Sequence, residues 1–256
     1  MTASLAHHPD LVGRGVLITG GGSGIGAALT TAFAAQGCRV TFIDIAVEES
    51  RALADALSAT SPHPVHFIEA DLSDVTAAQG AVKEAARLLG RLDVLINNAA
   101  RDDRQDLEAV SEAEWDASLG VNLKPVFFTT QAAVPHMKAQ GGGAIVNFSS
   151  IAFMLNMGEL PAYATAKAGI LGLTKSLAGK LGAENIRVNA ILPGMIVTER
   201  QKRLWLTDAS ISAMIERQCL KRILVADDLT GPCLFLASAA SAGMTAQWII
   251  VDGGTL

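Results

Sequence analysis

The sequence predicts an α/β protein with one doubly wound sheet of about seven parallel strands and helices on both faces. Short runs of Val, Ile and Leu alternate along the chain with longer segments of helical period. Continuous apolar runs are typical of strands that are buried on both faces, as they are in a parallel sheet. The runs that predict strands are VLIT (16–19), VTFID (40–44), VHFIEA (65–70), LDVLIN (92–97), AIVNFS (144–149), IRVNAIL (186–192) and WIIVD (248–252).

Length and composition favour a single domain over residues 1–256. The chain has 256 residues, of which 50% are hydrophobic, and these are enough to fill one large core. The sequence has no repeat, low-complexity tract or linker that would separate two domains. Its least regular segment, at about 194–222, is predicted to be a mobile lid over the substrate.

The charge pattern argues against two classes of partner. A net charge of -5 and a pI near 5.5 give no basic surface for nucleic acid or for an anionic membrane. Residues 15–38 are uncharged, but their glycines would break a membrane-spanning helix. We therefore expect a small-molecule partner, with no nucleic acid and no membrane.

The cysteines and histidines predict neither disulfides nor a metal site. Cys38, Cys219 and Cys233 are widely spaced and form no Cys-x-x-Cys pair, which favours a reducing, cytoplasmic setting. His63 and His66 are expected in a surface turn, and we predict no metal.

A glycine-rich segment follows the first predicted strand. In VLITGGGSGIG, Gly20, Gly24 and Gly26 come between that strand and a predicted helix. This spacing allows a tight turn that exposes backbone amides at the helix N-terminus, where a pyrophosphate is stabilised. The segment predicts nucleotide binding; the alternative is an ordinary glycine-rich turn.

An acidic residue ends the second predicted strand. The Asp44 carboxylate would accept hydrogen bonds from the two adenosine ribose hydroxyls and would repel a 2'-phosphate. The residues after it, IAVEES, carry no Arg or Lys. The sequence therefore predicts NAD rather than NADP, and the alternative is an exposed carboxylate without a ligand.

The segment YATAKAG places Tyr163 and Lys167 four residues apart, on one face of a helix. The lysine ammonium would stabilise a tyrosinate and lower the pKa of the phenol, which would make the tyrosine a usable base. By itself, such a pair of side chains usually belongs to the solvent-exposed face of a helix and has no catalytic role. Ser150, at the end of the fifth predicted strand, would donate a hydrogen bond to the same substrate oxygen.

Together these features resemble the short-chain dehydrogenases/reductases of the single-domain type, over essentially the whole chain. The resemblance is carried by Thr19-Gly-x-x-x-Gly-x-Gly, Asp71, Asn97-Asn98-Ala99, Asn122, Ser150, Tyr163-x-x-x-Lys167, Pro193-Gly194, Thr198 and the terminal VDGG. It implies a Rossmann fold, hydride transfer with a nicotinamide cofactor and a homotetramer. Two alanines depart from the family pattern at positions that are usually glycine, Ala100 and Ala246.

The resemblance also implies roles for individual residues. Ser150 would orient the reacting oxygen, Tyr163 would exchange its proton, and Lys167 would bind the nicotinamide ribose. Asn122 would anchor a water molecule that links Lys167 to solvent. Asp71 and Leu72 would border the adenine, while Ile196 and Thr198 would fix the carboxamide. The full set expected at the cofactor is Gly20, Ser23, Gly24, Ile25, Gly26, Asp44, Asp71, Leu72, Asn98, Tyr163, Lys167, Pro193, Gly194, Ile196 and Thr198.

Four charged residues, RDDR, follow the fourth predicted strand on the edge where such sheets bind ligands. They would suit a polyhydroxylated substrate, since an apolar one would leave them unpaired. The alternative is that they form salt bridges with one another or across a subunit contact. The residues expected near the substrate are Arg101, Asp102, Asp103, Arg104, Ser150, Asn156, Tyr163, Arg200 and Trp205.

The loop and the segments TERQ, Trp205 and QCLKR look similar to bacterial aldose 1-dehydrogenases, which oxidise an anomeric hydroxyl to a lactone. We therefore expect an NAD-dependent sugar dehydrogenase. The alternatives are a dehydrogenase of another alcohol or polyol, a 3-oxoacyl-carrier reductase, and an NAD-binding protein without catalysis.

Overall fold

The computed structural model describes residues 6–256, which form a parallel sheet of seven strands in the order β3-β2-β1-β4-β5-β6-β7. The predicted fold class is confirmed, and every predicted strand is present with ends shifted by a few residues. The strands are β1 (Gly15–Thr19), β2 (Arg39–Asp44), β3 (His66–Glu69), β4 (Val94–Asn97), β5 (Gly143–Phe148), β6 (Ile186–Pro193) and β7 (Trp248–Val251).

Helices cover both faces of the sheet. On one face, Phe33 of α1 and Leu234 of α9 pack in a cluster with Phe42 of β2. On the other face, Val82 of α3 and Met137 of α5 belong to a second buried cluster. The helices are α1 (Gly24–Ala35), α2 (Val47–Ser58), α3 (Val75–Leu89), α4 (Glu112–Asn122), α5 (Lys124–Ala139), α6 (Pro161–Leu181), α7 (Glu199–Leu204), α8 (Asp208–Arg217) and α9 (Thr230–Ala237).

The strand order reverses at β1, which places a ligand crevice at its carboxyl end. Thr19, the last residue of β1, pairs with Ile43 of β2 on one side and with Asn97 of β4 on the other. In doubly wound sheets, ligands bind outside the strand ends at such a switch point.

Buried hydrogen bonds tie α5 and α6 to the strands below this crevice. Thr129 of α5 donates to Asn97 Oδ1 at 2.7 Å, and Asn97 donates to Asn147 of β5 at 2.9 Å. Asn147 in turn donates to Thr174 of α6 at 3.0 Å. Each of these buried polar side chains has a hydrogen-bond partner, and the network therefore fixes the position of α6 on the sheet.

The segment predicted to be least regular contains two short helices, α7 and α8. Each begins at a threonine that accepts a backbone hydrogen bond, Thr198 from Gln201 and Thr207 from Ser210. The segment is therefore made of short helices joined by loops, and each capping threonine satisfies a backbone amide in the first turn of its helix. That the segment acts as a lid stays a prediction.

Of the two departures from the family pattern, Ala246 adopts the left-handed conformation, with a φ of 59°, and Ala100 does not. This conformation places the alanine Cβ close to the backbone and costs about 1 kcal/mol or more. Within residues 6–256, no helix is both long enough and apolar enough to cross a membrane.

Candidate active site

A cleft at the carboxyl ends of the strands is lined by all fifteen residues that the sequence predicts for the cofactor. Its volume of about 1840 Å³ exceeds what one small ligand requires, so it has room for a dinucleotide and a substrate.

The glycine loop forms the floor of one half of the cleft. Gly20 has a φ of 64°, and a Cβ added at Gly26 would lie 1.7 Å from the Gly20 carbonyl oxygen. Asn98 holds the loop in place, since its side-chain amide donates to the carbonyl oxygens of Thr19 at 3.1 Å and Gly20 at 3.0 Å. As far as the described residues show, no side chain caps the first amides of α1. These amides are therefore suited to bind a pyrophosphate.

Asp44 lies at the end of β2 beside the loop. Its carboxylate accepts hydrogen bonds from the backbone amides of Gly22 at 2.8 Å, Ile45 at 2.7 Å and Ala46 at 3.0 Å. A carboxylate accepts about four hydrogen bonds, so at least one position is left for a ribose hydroxyl.

Asp71 and Leu72 line the same half of the cleft, after β3. Hydrogen bonds from Ser73 hold the pKa of Asp71 below its ordinary value, and the charges of Arg101 and Lys124 lower it further. Asp71 is therefore a carboxylate at neutral pH.

Ser150, Tyr163 and Lys167 meet at the other half of the cleft. Ser150 follows β5, accepts a hydrogen bond from the Ala152 amide at 3.1 Å, and lies close enough to Tyr163 that its hydroxyl group lowers the pKa of the phenol. Lys167 is 2% exposed; its Nζ donates to the Phe148 carbonyl oxygen at 2.9 Å and lies 5.5 Å from the centre of the Tyr163 ring. The sequence-predicted convergence of these three side chains is present.

The proton affinity of Tyr163 differs from the expectation. Burial raises the pKa of Tyr163 to about 12, and the carboxylate of Asp102 raises it as well. The hydrogen bond from Ser150 and the charge of Arg104 oppose this rise. Burial also lowers the pKa of Lys167 to about 8, which weakens the positive charge that was expected to stabilise a tyrosinate.

Asn122 ends α4, and its side chain is bonded to the backbone of Arg101 in both directions. Its Oδ1 accepts from the Arg101 amide at 2.8 Å, and its Nδ2 donates to the Arg101 carbonyl oxygen at 2.8 Å. Asn122 thus fixes the start of the charged loop after β4, a role that the sequence did not indicate.

Residues after β6 close the cleft above the glycine loop. Gly194 approaches Asp252 so closely that an added Cβ would lie 2.7 Å from the Asp252 Cα. A Cβ added at Gly24 would lie 3.5 Å from the Thr198 methyl group, so Thr198 lies against the loop. Ile196 is buried and pairs with Leu224.

The four charged residues of the RDDR loop divide into two pairs. Arg101 and Asp103 form an ion pair with each other and are 48% and 43% exposed. Asp102 and Arg104 are 14% and 25% exposed and line the cleft, Arg104 with its guanidinium 5.4 Å from the centre of the Trp205 ring. The exposed pair fits the interpretation that these charges form a salt bridge with each other. The pair that lines the cleft fits the interpretation that they contact a substrate.

Asp102 is bonded to the start of α7. It accepts from Arg200 Nη1 at 3.0 Å and from Gln201 Nε2 at 2.8 Å. The sequence does not indicate a role for Gln201, because no local pattern links it to a residue almost a hundred positions earlier.

Two residues expected near the substrate do not line the cleft. Asp103 points to its partner Arg101, and Asn156 is exposed in a turn with a φ of 55°. Cleft residues that the sequence reading missed include Leu155, Met157 and Glu159, whose segment carries no motif.

Comparisons with known proteins agree with this geometry. A family model described as Enoyl-(Acyl carrier protein) reductase matches residues 20–255. A probable galactose dehydrogenase of Rhizobium meliloti is 68% identical over 99% of both chains, and a D-xylose 1-dehydrogenase of Caulobacter vibrioides is 45% identical over 98% of this chain and 99% of its own.

A crystal structure from Sinorhizobium meliloti, described as a "putative short-chain alcohol dehydrogenase", superposes with a TM-score of 0.91 at 35% identity, over 96% of this chain and 97% of its own. The glycine loop, the Ser150, Tyr163 and Lys167 cluster and these matches lead to one conclusion: the chain is an oxidoreductase that belongs to the short-chain dehydrogenase/reductase family.

Proposed function

We propose that this enzyme oxidises the anomeric hydroxyl of an aldose to the lactone and uses NAD as the hydride acceptor. The observation that carries the proposal is the position of Ser150, Tyr163 and Lys167 in one cleft with the charged residues Asp102 and Arg104. The likeness to a galactose and a xylose dehydrogenase supports the sugar substrate.

Ser150 and Tyr163 perform the proton chemistry. Ser150 donates a hydrogen bond to the anomeric oxygen, and the ionised phenol of Tyr163 takes the proton of that hydroxyl group. As the carbon-oxygen double bond forms, the hydrogen on the anomeric carbon leaves with its electron pair. The oxidised nicotinamide, when bound, supplies the acceptor for this hydride.

Lys167 acts on the base, Tyr163, and not directly on the substrate. It lies one helical turn from Tyr163, and a protonated ammonium there stabilises the tyrosinate. Because the pKa of Lys167 is lowered to about 8, this support is strongest below that pH.

Three features of the cleft support NAD. The uncapped amides of α1 fit the pyrophosphate, Asp44 has room for a ribose hydroxyl, and the same carboxylate would repel a 2'-phosphate. We expect the catalytic efficiency with NAD to exceed that with NADP by at least about tenfold, or about 1.4 kcal/mol.

The substrate end of the cleft suits a neutral polyhydroxylated molecule. Asp102 and Glu159 oppose Arg104 and Arg200, so the four charges balance. Among the described residues, Arg104 Nη1 is a buried nitrogen without a hydrogen-bond acceptor, and Glu159 at 3.6 Å is beyond hydrogen-bond range. A sugar hydroxyl bound beside Arg104 would relieve a cost of about 1 to 3 kcal/mol.

We also propose a cytoplasmic homotetramer. The cytoplasmic setting is supported by Cys38, Cys219 and Cys233, which are all free. The tetramer is supported by family resemblance, and light scattering of the purified protein tests it.

A substrate screen tests the proposed function. Purified protein would be mixed with NAD and with aldoses, polyols or simple alcohols, and NADH would be followed by its absorbance. We expect the highest catalytic efficiency with an aldose and lactone as the product, and loss of the signal in Tyr163→Phe. Oxidation of simple alcohols without any aldose, or reduction of a 3-oxoacyl thioester in preference to either, would reject the sugar substrate.

A further inference from the structure

Asp102 connects the loop after β4 to the first turn of α7. Arg200 and Gln201 each donate to one of its carboxylate oxygens, at 3.0 and 2.8 Å, while Arg104 Nη2 lies 4.0 Å away. Asp102 is 14% exposed, so this ion pair is screened less than one in open solvent. These two hydrogen bonds join the RDDR loop to the segment 194–222, so the proposed lid could move away from the cleft only if they break.

Several charged groups surround the tyrosine. Lys167 lies on its own helix, Asp102 and Arg104 come from the loop after β4, and Arg104 is paired with Glu159 before α6. From α7, the cleft is lined by Glu199, Arg200 and Arg203. Of these, Asp102 is the carboxylate that disfavours a negative charge on the phenol.

We propose that Asp102 is a positioning residue whose pairing with Arg200 couples the docking of α7 to the release of the proton from Tyr163. With α7 docked, the Arg200 guanidinium offsets part of the carboxylate charge, and the tyrosine ionises more readily than it would without this pairing. With α7 displaced, the unpaired carboxylate opposes a second negative charge nearby, and the base stays protonated.

The coupling follows from elementary electrostatics. A carboxylate next to an ionisable acid disfavours ionisation, and a cation bonded to that carboxylate cancels part of its field. Because Arg200 and Gln201 both belong to α7, the cancellation depends on where this helix lies. The active base would then form mainly when the substrate is enclosed, which limits unproductive proton exchange with water.

The chain provides its own reporter for the first test, because Tyr163 is the one tyrosine in the sequence. The ultraviolet absorbance of tyrosinate therefore measures Tyr163 alone, and Tyr163→Phe provides the blank. With a pKa of about 12, the wild-type protein should be about 3% ionised near pH 10.5. Asp102→Asn should lower this pKa by about one unit and raise the ionised fraction to about 24%.

Asp103→Asn is the matched control. It removes the neighbouring carboxylate, which pairs with Arg101 and does not itself line the cleft, and should leave the ionised fraction at the wild-type value. Circular dichroism at the same pH verifies that each variant is folded. If Asp102→Asn does not fold, Asp102→Ser is measured in its place. An ionised fraction that is the same in the Asp102 variant, in Asp103→Asn and in the wild type would overturn the proposal.

The second test measures how turnover depends on pH. Because it requires turnover of a sugar, this test rests on the proposed function. In Arg200→Gln the alkaline rise of turnover should move up by about one pH unit, because the Asp102 charge is no longer balanced. In the double variant with Asp102→Asn, loss of Arg200 should cause no upward shift. An equal shift from loss of Arg200 with and without Asp102 would refute the coupling.

The two tests separate two kinds of failure. The absorbance measurement needs neither cofactor nor substrate, so it decides the role of Asp102 even if the enzyme oxidises no aldose. A positive substrate screen with an unchanged Asp102→Asn spectrum would preserve the proposed function and reject the coupling.

Discussion

Replacing Lys167 by methionine should stabilise the protein near neutral pH while it impairs catalysis. Lys167 is 2% exposed, and burial lowers its pKa from 10.5 to about 8. Below about pH 8, the folded protein holds a buried ammonium that the unfolded chain would carry in water. Methionine is also unbranched and of similar length, so it can occupy the same space without the charge.

The magnitude follows from the pKa difference. A shift of about 2 to 3 pH units corresponds to about 3 kcal/mol in favour of the unfolded state at pH 7. Methionine also loses the hydrogen bond from Lys167 Nζ to the Phe148 carbonyl oxygen, at a cost of about 1 to 2 kcal/mol. The expected net gain in the free energy of unfolding at pH 7 is therefore about 1 to 2 kcal/mol.

The sign of the pH dependence makes this prediction specific. Between about pH 8 and 10.5 the unfolded state binds more protons at this site, so wild-type stability should rise with pH relative to Lys167→Met. Urea unfolding near pH 7 and near pH 10 measures both differences, and the advantage of the variant should vanish or reverse at the higher pH.

Lys180→Met is the control for this experiment, since Lys180 is exposed in the last turn of the same helix. It should show no pH-dependent difference of this kind. If Lys167→Met were less stable than the wild type at pH 7 by the same amount as at pH 10, the buried charge would not be the cause.

Three further predictions use other parts of the structure. Asp44→Asn should reduce the preference for NAD over NADP by about tenfold in steady-state kinetics, because it removes the charge that repels a 2'-phosphate; an unchanged ratio would remove Asp44 from cofactor selection. Ala246→Gly should raise the free energy of unfolding in urea by about 1 kcal/mol by relieving the left-handed backbone at 59°, and a loss of stability would contradict this. Tyr163→Phe should lower turnover by about 100-fold or more and keep NADH affinity, whereas near-normal turnover would exclude tyrosine as the base.

The sheet and the cofactor half of the cleft could be predicted because their signals are local. Each strand is a continuous apolar run, and Gly20, Gly24, Gly26 and Asp44 stand at fixed distances from strand ends. Parallel strands bring these ends together whatever the sequence of the connections. The same reasoning predicted that Ser150 lies beside Tyr163, since Ser150 follows the end of a strand and Tyr163 lies in the first turn of a helix on the same edge of the sheet.

The substrate half depends on pairings that no local pattern encodes. Asp102 meets Arg200 and Gln201 only because the segments after β4 and β6 fold over the same crevice. The short helix α8 did leave a signal, since Thr207 and Ser210 have the spacing of a capping box. The pKa of Tyr163 could not be inferred from its spacing to Lys167, because burial of both side chains outweighs their mutual charge effect.

The charges at the substrate end also bear on which substrate the cleft can hold. Arg104 is flanked by Trp205, Glu159 and Asp102, yet its Nη1 has no acceptor among the residues that the structure describes. An acyl chain would fill the space and leave this nitrogen unsatisfied, whereas a hydroxyl group would bond to it and add no charge to a balanced set. A substrate acid would instead compete with Asp102 for Arg200 and release α7. The same ion pair that couples α7 to the base thus favours a neutral, hydroxylated substrate over a charged one.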